Sequence, residues 1–315
     1  MGVDIGGTKI RTALVDASGQ VLSACRSPTC MGKDPSAIIA DLVGSIDKCV
    51  SEAKQDVEAL GIGVAAQVDS EGVVISSQNL NWRNMALKET IRKKLALPTV
   101  VINDVNAATW GEWLYGSGKG VDDVVVLFIG TGVGGGVVSG GKMLVGCTNS
   151  GGELGHITIV VGGRKCHCPN FGCLEAYTGG WAIAERAKQA VRAELRAGQR
   201  LIAIAGSLEG ITAVTVGQAF REGDELARRL VEETGRYLGA GVVSIVNAFN
   251  PCLVVLGGGV IEGIPELIDL AEKETRRKAL ESSLRDLRIV KAALGHDAGV
   301  IGAAALAQTL ISRTR

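Results

Sequence analysis

The densest group of reactive side chains lies just beyond the middle of the chain. Three cysteines, Cys166, Cys168 and Cys173, fall within eight residues, and His156 precedes the first of them by ten positions. Three thiolates and one imidazole form a closed zinc site with no position left for a substrate. The spacing predicts a structural Zn²⁺ that fixes this loop, with metal-free reduced cysteines as the alternative. His167 competes as the fourth ligand, although a residue between two ligating cysteines usually points away.

Three glycine-rich turns are spaced along the chain: the first at residues 4–9, the second at 130–136 and the third at 257–259. Glycine lets the backbone approach an anion closely and direct N–H groups at it. An acidic residue just before the first turn could hold Mg²⁺ through water. The alternatives are a plain hairpin for the first turn and a tight strand-to-helix connection for the third, which otherwise suits contact with adenosine. We expect the following residues to bind a nucleotide and its Mg²⁺: Asp4, Gly6, Gly7, Thr8, Lys9, Gly130, Thr131, Gly132, Gly257, Gly258 and Gly259.

The surroundings of these turns exclude several nucleotide-binding classes. Residues 130–135 satisfy G-x-G-x-x-G, but a strand follows them, whereas a dinucleotide-binding turn opens a helix. Neither H-R-D nor D-F-G occurs, which excludes a protein kinase. Thr8 precedes Lys9 instead of following it, so no Walker loop is present. The remaining interpretation is a nucleotide held between two hairpin turns from two halves of the chain.

The apolar patterns predict alternating strands and helices around these turns. A strand–turn–strand–turn–strand pattern opens the chain and returns about 125 residues later, which indicates two related α/β halves. The predicted strands are Gly2–Ile5, Ile10–Asp16, Val21–Ala24, Leu60–Val64, Thr99–Ile102, Val124–Ile129, Gly136–Ser139, Lys142–Val145 and Leu253–Leu256. The predicted helices are Asp34–Ala53, a stretch ending near Tyr115, Glu175–Gln199, Asp224–Ala248 and Ala298–Thr309.

The composition of the chain limits the kinds of partner that it could bind. At 315 residues the chain can form two domains, and its 33 basic and 33 acidic residues cancel without a basic stripe. We therefore expect no nucleic-acid partner. No apolar run long enough to span a membrane and no secretory signal are visible, so we expect no membrane association. Cysteines without an export signal favour a reduced, cytoplasmic protein.

Taken in order, these motifs resemble the ROK family (repressors, open reading frames and kinases), especially its bacterial glucokinase branch. The zinc string and the segment before it are the most specific part, and the resemblance covers nearly the whole chain. The matching segments are Asp4–Lys9, Asn103-Asp104, Gly130–Gly135, Gly152–His156, Cys166–Glu175 and Leu256–Gly259.

The resemblance implies a duplicated actin-like (ribonuclease-H-like) α/β fold with the active site in the cleft between two domains. The smaller domain would comprise residues 1–115 plus about 297–315, and the larger about 116–296. The implied reaction transfers phosphate from ATP to the 6-hydroxyl of an aldohexose, with glucose the expected substrate and a homodimer or homotetramer the expected assembly. Asp104 would be the catalytic base, and the residues lining the sugar would be Asn79, Asn103, Asp104, Glu153, His156 and Glu175, with His156 also binding zinc.

Side-chain chemistry is consistent with this, but alternatives remain. A carboxylate that accepts the proton of a weakly nucleophilic hydroxyl is useful in catalysis, whereas Asp104 read alone is more typical of a helix N-cap. Kinases for fructose, mannose, allose or N-acetylated amino sugars stay open, as does a non-catalytic sugar-binding protein. Sugar-responsive repressors carry a DNA-binding segment before the sugar-binding body, and here the first turn begins at residue 4, so we expect a kinase. Pro169 and Ala65-Ala66-Gln67 depart from the family pattern beside the pocket.

Overall fold

The structure is a computed structural model that describes residues 1–29, 34–53, 55–77 and 80–312. Two five-stranded sheets form its frame, and a three-stranded sheet flanks the first of them. The first large sheet contains β1 (Gly2–Ile5), β2 (Lys9–Val15), β3 (Val21–Pro28), β4 (Leu60–Val64) and β8 (Thr99–Asn103), and the small sheet contains β5 (Gln67–Val68), β6 (Val74–Ser77) and β7 (Trp82–Met85). The second large sheet contains β9 (Val124–Ile129), β10 (Val133–Ser139), β11 (Lys142–Met143), β12 (Leu253–Gly257) and β13 (Arg288–Lys291).

The two large sheets have the same topology. Their strand orders are β3-β2-β1-β4-β8 and β11-β10-β9-β12-β13. In each, the first three strands of the chain form antiparallel hairpins and the last two add in parallel. The prediction of two related α/β halves is therefore confirmed.

Helices cover the sheets and supply much of the core. They are α1 (Pro35–Ala53), α2 (Leu87–Leu95), α3 (Asp104–Tyr115), α4 (Glu175–Thr178), α5 (Gly180–Ala193), α6 (Gln199–Ala205), α7 (Ala213–Arg221), α8 (Glu225–Phe249), α9 (Gly259–Gly263), α10 (Glu266–Lys278), α11 (Glu281–Leu284) and α12 (Ala298–Ser312). Strands β9 and β12 are almost wholly buried and rich in valine and leucine, as expected for strands covered on both faces. In the part of the chain that the structure describes, no helix combines the length and apolar character needed to cross a lipid bilayer.

Helix α12 returns to the first half and lies unusually close to its neighbours. A Cβ at Gly302 would lie 1.7 Å from the carbonyl oxygen of Ala107 on α3, and a Cβ at Gly61 on β4 would lie 1.7 Å from that of Ala303. Side chains at these positions cannot be accommodated without moving backbone. Backbone-to-backbone packing therefore fixes α3 against α12 and the first sheet.

Several predicted elements had wrong bounds. Strand β3 continues to Pro28, past its predicted end at Ala24, and β11 ends at Met143 instead of Val145. The predicted helix Glu175–Gln199 is divided into α4, α5 and the start of α6. The first break falls at Gly179, which adopts an extended conformation, and the next two backbone N–H groups bond the second glycine turn instead. The second break covers residues 194–198. Strand β10 begins at Val133, not Gly136. Its glycines serve packing, since a Cβ at Gly134 would lie 2.4 Å from the side chain of Val105.

Candidate active site

The position of Asp104 depends on its neighbour Asn103. The side-chain oxygen of Asn103 accepts N–H bonds from Val105 (2.9 Å) and Asn106 (3.0 Å), so Asn103 is the N-cap of α3 and leaves Asp104 at the first helical position. Its amide nitrogen donates to the Ala66 carbonyl (3.1 Å) and to the Asp104 carboxylate (3.1 Å). All four bonding positions of the amide are used within the protein. Asn103 thus supports the carboxylate of Asp104.

Two carboxyl groups at the strand ends have raised pKa values. Burial raises the pKa of Asp104 to about 7, and the negative charges of Asp4 and Glu153 act in the same direction. Burial also raises the pKa of Asp4 to about 6, although Lys9 and Arg11 oppose this. A carboxyl group with a pKa near 7 is suited to general-base chemistry at physiological pH.

Asp104 lies in the wall of a cleft cavity of about 690 Å³ between the two halves. Strand ends and turns from both large sheets line this cavity: Asn103 ends β8 in the first sheet, and Gly258 directly follows β12 in the second. The predicted site residues that it brings together are Asn103, Asp104, Gly130, Thr131, Gly132, Glu153, His156, Cys168, Glu175 and Gly258. Ala65-Ala66-Gln67 and Pro169 also contribute to the lining. The predicted sugar ligand Asn79 lies outside the described residues.

The first glycine turn, predicted to bind phosphate, does not reach the lining of this cavity. The N–H of Gly6 donates to the carbonyl of Lys9 (2.9 Å), which closes a hairpin whose Thr8 and Lys9 side chains are exposed. Among the described residues, the cavity lining includes none from the first turn. The turn is nevertheless near the site, since the charge of Asp4 acts on Asp104.

Glu175 links the second glycine turn to the loop that carries the cysteines. Its carboxylate accepts the N–H of Val133 (2.9 Å) and the indole N–H of Trp181 (3.4 Å), and it lies 3.7 Å from the sulfur of Cys166. A Cβ at Gly132 would lie only 2.5 Å from the same carboxylate. Glycine at 132 is therefore needed for Glu175 to reach the turn.

Four potential metal ligands converge beside Glu175. Their ligand atoms all lie within 4.8 Å of one another, and we call them the Cys/His cluster: His156, Cys166, Cys168 and Cys173. The sulfur of Cys166 lies 3.7 Å from Nδ1 of His156, and the other two sulfurs are 3.6 Å apart. A tetrahedral zinc ion with its usual bond lengths gives edges of about 3.5–3.8 Å, so the donor set fits this ion. The ring of His167 instead stacks on Trp181, with centroids 4.0 Å apart.

The loop that carries the cluster has little regular structure of its own. Short bridges pair Thr158 with Cys173 and Lys165 with Phe171. Gly172 has a φ of +79°, and a Cβ there would lie 1.7 Å from a carbonyl oxygen. Backbone hydrogen bonds across the loop, such as Cys166 N–H to the Asn170 carbonyl (3.1 Å) and Gly172 N–H to the Arg164 carbonyl (2.7 Å), bring the cysteines together.

A second, mostly apolar cavity of about 410 Å³ adjoins the cleft. It shares Gly130, Thr131 and Trp181 with the cleft lining and extends between α5, α7 and α9. Helix α7 contributes Arg221, whose guanidinium donates to the Gly263 carbonyl (2.7 Å). A flat apolar ring system would fit such a space. Sequence reasoning missed α7, although Thr212, Val214 and Gly217 all line this cavity.

The third glycine turn reaches this region only in part. Gly257 ends β12 in a buried position, where a Cβ would lie 2.7 Å from the side chain of Ala292. Gly258 has a φ of +92° and lines the cleft, whereas Gly259 lines the apolar cavity. The last two glycines are therefore the ones placed to contact a ligand.

The duplicated topology and the cleft between the halves, in which Asp104 and the second glycine turn share one cavity, define a two-domain actin-like kinase fold. The ROK family model matches residues 1–310, and the chain belongs to the ROK family.

Several similar proteins in this family are kinases. The solved structure of a ROK family glucokinase from Streptomyces griseus, in complex with glucose and AMPPNP, is 37% identical, with a TM-score of 0.86 and 98% of each chain covered. A glucokinase of Streptomyces coelicolor is 35% identical over 311 residues, covering 98% of this chain and 97% of that protein. An N-acetylmannosamine kinase of Escherichia fergusonii is 32% identical, covering 98% of each. The predictions of family and fold are confirmed.

Proposed function

We propose that this protein is an ATP-dependent sugar kinase that phosphorylates the 6-hydroxyl of an aldohexose, with glucose as its substrate. The observation that carries this proposal is the Asp104 carboxylate, which has a pKa near neutrality and faces a cleft edged by the second glycine turn. The similarity to glucokinases over nearly the full chain supports glucose as the sugar.

In the proposed reaction, Asp104 accepts the proton of the sugar hydroxyl as its oxygen attacks the γ-phosphorus. The bond between that phosphorus and the β–γ bridging oxygen breaks, and ADP leaves. The side chains of Glu153, His156 and Glu175, with Asn79 at the edge, would hold the other sugar hydroxyls. Asn103, whose amide positions are all used within the protein, would hold the Asp104 carboxylate in place instead of contacting the sugar. The turns at 4–9 and 130–132 would direct N–H groups at the phosphates, and the apolar cavity with Gly258 and Gly259 would hold the adenosine.

Two metal ions are part of the proposal. The repulsion between the charges of Asp4 and Asp104 is what a divalent cation would relieve, and Mg²⁺, when bound, neutralises phosphate charge during transfer. The Cys/His cluster would hold a structural Zn²⁺, because its four donors match a tetrahedral ion and leave no open position. That ion would fix the backbone on both sides of Glu175 and His156.

The proposal extends to the domain division, the oligomeric state and the location of the protein. Residues 1–115 plus about 297–315 would move as one domain against 116–296. We also propose a homodimer or homotetramer in the cytoplasm, where the thiols of the cluster stay reduced. Light scattering coupled to size-exclusion chromatography measures the assembly.

The test is sugar phosphate formation from Mg-ATP across glucose, mannose, fructose, allose, N-acetylglucosamine and N-acetylmannosamine, with polyphosphate tried separately as donor. We expect the highest kcat/KM for glucose. A clear preference for N-acetylmannosamine would instead favour the activity named for the Escherichia fergusonii relative. Binding of sugar without any transfer would support a non-catalytic sugar-binding protein.

A further inference from the structure

The chain passes between its two halves twice, and both crossings meet one buried side chain. The first crossing, residues 116–123, joins α3 to β9, and the second, residues 292–297, joins β13 to α12. Glu112 lies near the end of α3 and is 0% exposed. Its carboxylate is bonded to the backbone of both crossings.

Each carboxylate oxygen of Glu112 accepts backbone N–H bonds. One oxygen accepts from Ser117 (3.0 Å) in the first crossing and Ala293 (3.1 Å) in the second, and the other accepts from Leu294 (2.7 Å). The hydroxyl of Ser117 links the first crossing to the end of β13, directly before the second crossing, by donating to the carbonyl of Lys291 (2.7 Å). The two crossings are therefore held to α3 and to each other at one point.

The chemistry of this contact suits a fixed pivot. Among the described residues, no ion pair involves Glu112, so backbone N–H groups supply the stabilisation of the buried carboxylate. A Cβ at Gly116 would lie 2.2 Å from this carboxylate, so glycine is needed for the chain to turn closely around it. Loss of the carboxylate would leave three N–H groups without their partner.

The pivot is connected to the reactive group by a rigid element. Asp104 begins α3 and Glu112 lies two turns later, about 12 Å along the same helix. Backbone contact with α12 prevents this helix from sliding. A change in the angle of the crossings would therefore change how Asp104 faces Glu153 and Glu175 in the other half.

We propose that Glu112 is a positioning residue that sets the angle at which the two halves meet over the sugar. This inference rests on the proposed function. Sugar contacts come from both halves, so sugar affinity and transfer should depend on the angle. The apolar cavity between α5, α7 and α9 belongs to the second half alone, so the affinity for adenosine should not depend on the angle between the halves.

The test compares wild type with Glu112→Gln and with Ile46→Val, a core truncation in α1 that lowers stability without touching either crossing. Glutamine keeps one acceptor oxygen and replaces the other with an NH₂ donor, so in Glu112→Gln we expect amide hydrogen exchange at Leu294, or at Ser117 and Ala293, to become at least tenfold faster. The Kd for glucose should rise about tenfold and kcat should fall similarly, whereas the Kd for adenosine, from calorimetry, stays within twofold. Ile46→Val should change neither Kd.

Faster exchange at the crossings with unchanged glucose Kd and kcat would overturn the proposal. An equal weakening of glucose and adenosine binding would also overturn it, because that is the result of general destabilisation. If Glu112→Gln fails to fold, Ser117→Ala replaces it, and an unchanged glucose Kd there counts against the pivot. Absence of transfer to any sugar in wild type would reject the proposed function, whereas the exchange measurement still reports on Glu112.

Discussion

The pH dependence of phosphoryl transfer should follow the protonation of Asp104. Burial raises the pKa of this carboxyl to about 7, helped by the charges of Asp4 and Glu153. A general base acts only when it is deprotonated, so kcat/KM should rise with pH through about 7 and level off near pH 8. At pH 6 roughly one Asp104 in eleven would be deprotonated, which places kcat/KM roughly tenfold below its plateau.

The assay should quantify sugar phosphate directly, because coupling enzymes have pH profiles of their own. The phosphates of ATP also titrate in this range, and two variants distinguish their effect on the pH profile from that of Asp104. Asp104→Asn should lower kcat by roughly 10²–10⁴-fold and abolish the rise near pH 7. Glu153→Gln removes a charge that raises the pKa of Asp104, so its midpoint should move to lower pH. A flat wild-type profile from pH 5.5 to 8, or the same rise in Asp104→Asn, would refute the assignment of the base.

The same shift has a consequence for stability. The pKa of Asp104 is about 7 in the folded protein, above that of an unfolded aspartate, so its contribution favours folding in acid and is lost as pH rises through 7. At pH 8 the ionised carboxylate would cost up to about 4 kcal/mol of the free energy of unfolding. Asp104→Asn should therefore raise the melting temperature at pH 8 more than at pH 5. An equal change at both pH values would contradict this.

Three further predictions follow from close contacts and from the cluster. Gly132→Ala would displace the Glu175 carboxylate, which a Cβ would approach to 2.5 Å, so the KM for sugar should rise about tenfold in steady-state assays while the melting temperature stays nearly unchanged. Gly302→Ala would force α12 away from the Ala107 carbonyl, so the free energy of unfolding measured with denaturant should fall by about 3 kcal/mol or more. The control is Gly44→Ala in α1, where open space surrounds the glycine, and it should be neutral or stabilising by up to about 1 kcal/mol. Zinc removal by a chelator, verified by metal analysis, should lower the melting temperature and sugar affinity together; an unchanged melting curve would count against a structural metal.

Short strands and their turns could be predicted from sequence because each has a strong local signal. Both β4 and β9 have the predicted bounds, and the repeated hairpins revealed the duplication of the sheets. The helix predicted from Glu175 to Gln199 failed because good helix formers surround Gly179, where tertiary bonds to the second glycine turn prevail over local propensity.

Parts of the site depend on contacts that no local pattern encodes. Asn103 caps α3 and frees Asp104, a division of work that the adjacent pair Asn-Asp does not reveal by itself. The apolar cavity requires α7 to pack beside α9, which brings Thr212, the N-cap of α7, into its lining, and the sequence patterns predicted no helix there. Glu112 resembles an ordinary exposed helix residue until the second crossing, far along the chain, places Leu294 against it.

The most direct measurement is a crystal structure with glucose and a non-hydrolysable ATP analogue bound together. We expect a carboxylate oxygen of Asp104 within about 2.6–3.2 Å of the sugar's 6-hydroxyl, with the γ-phosphate on the other side of that hydroxyl. A bound sugar whose hydroxyls all lie beyond reach of Asp104 would contradict the account.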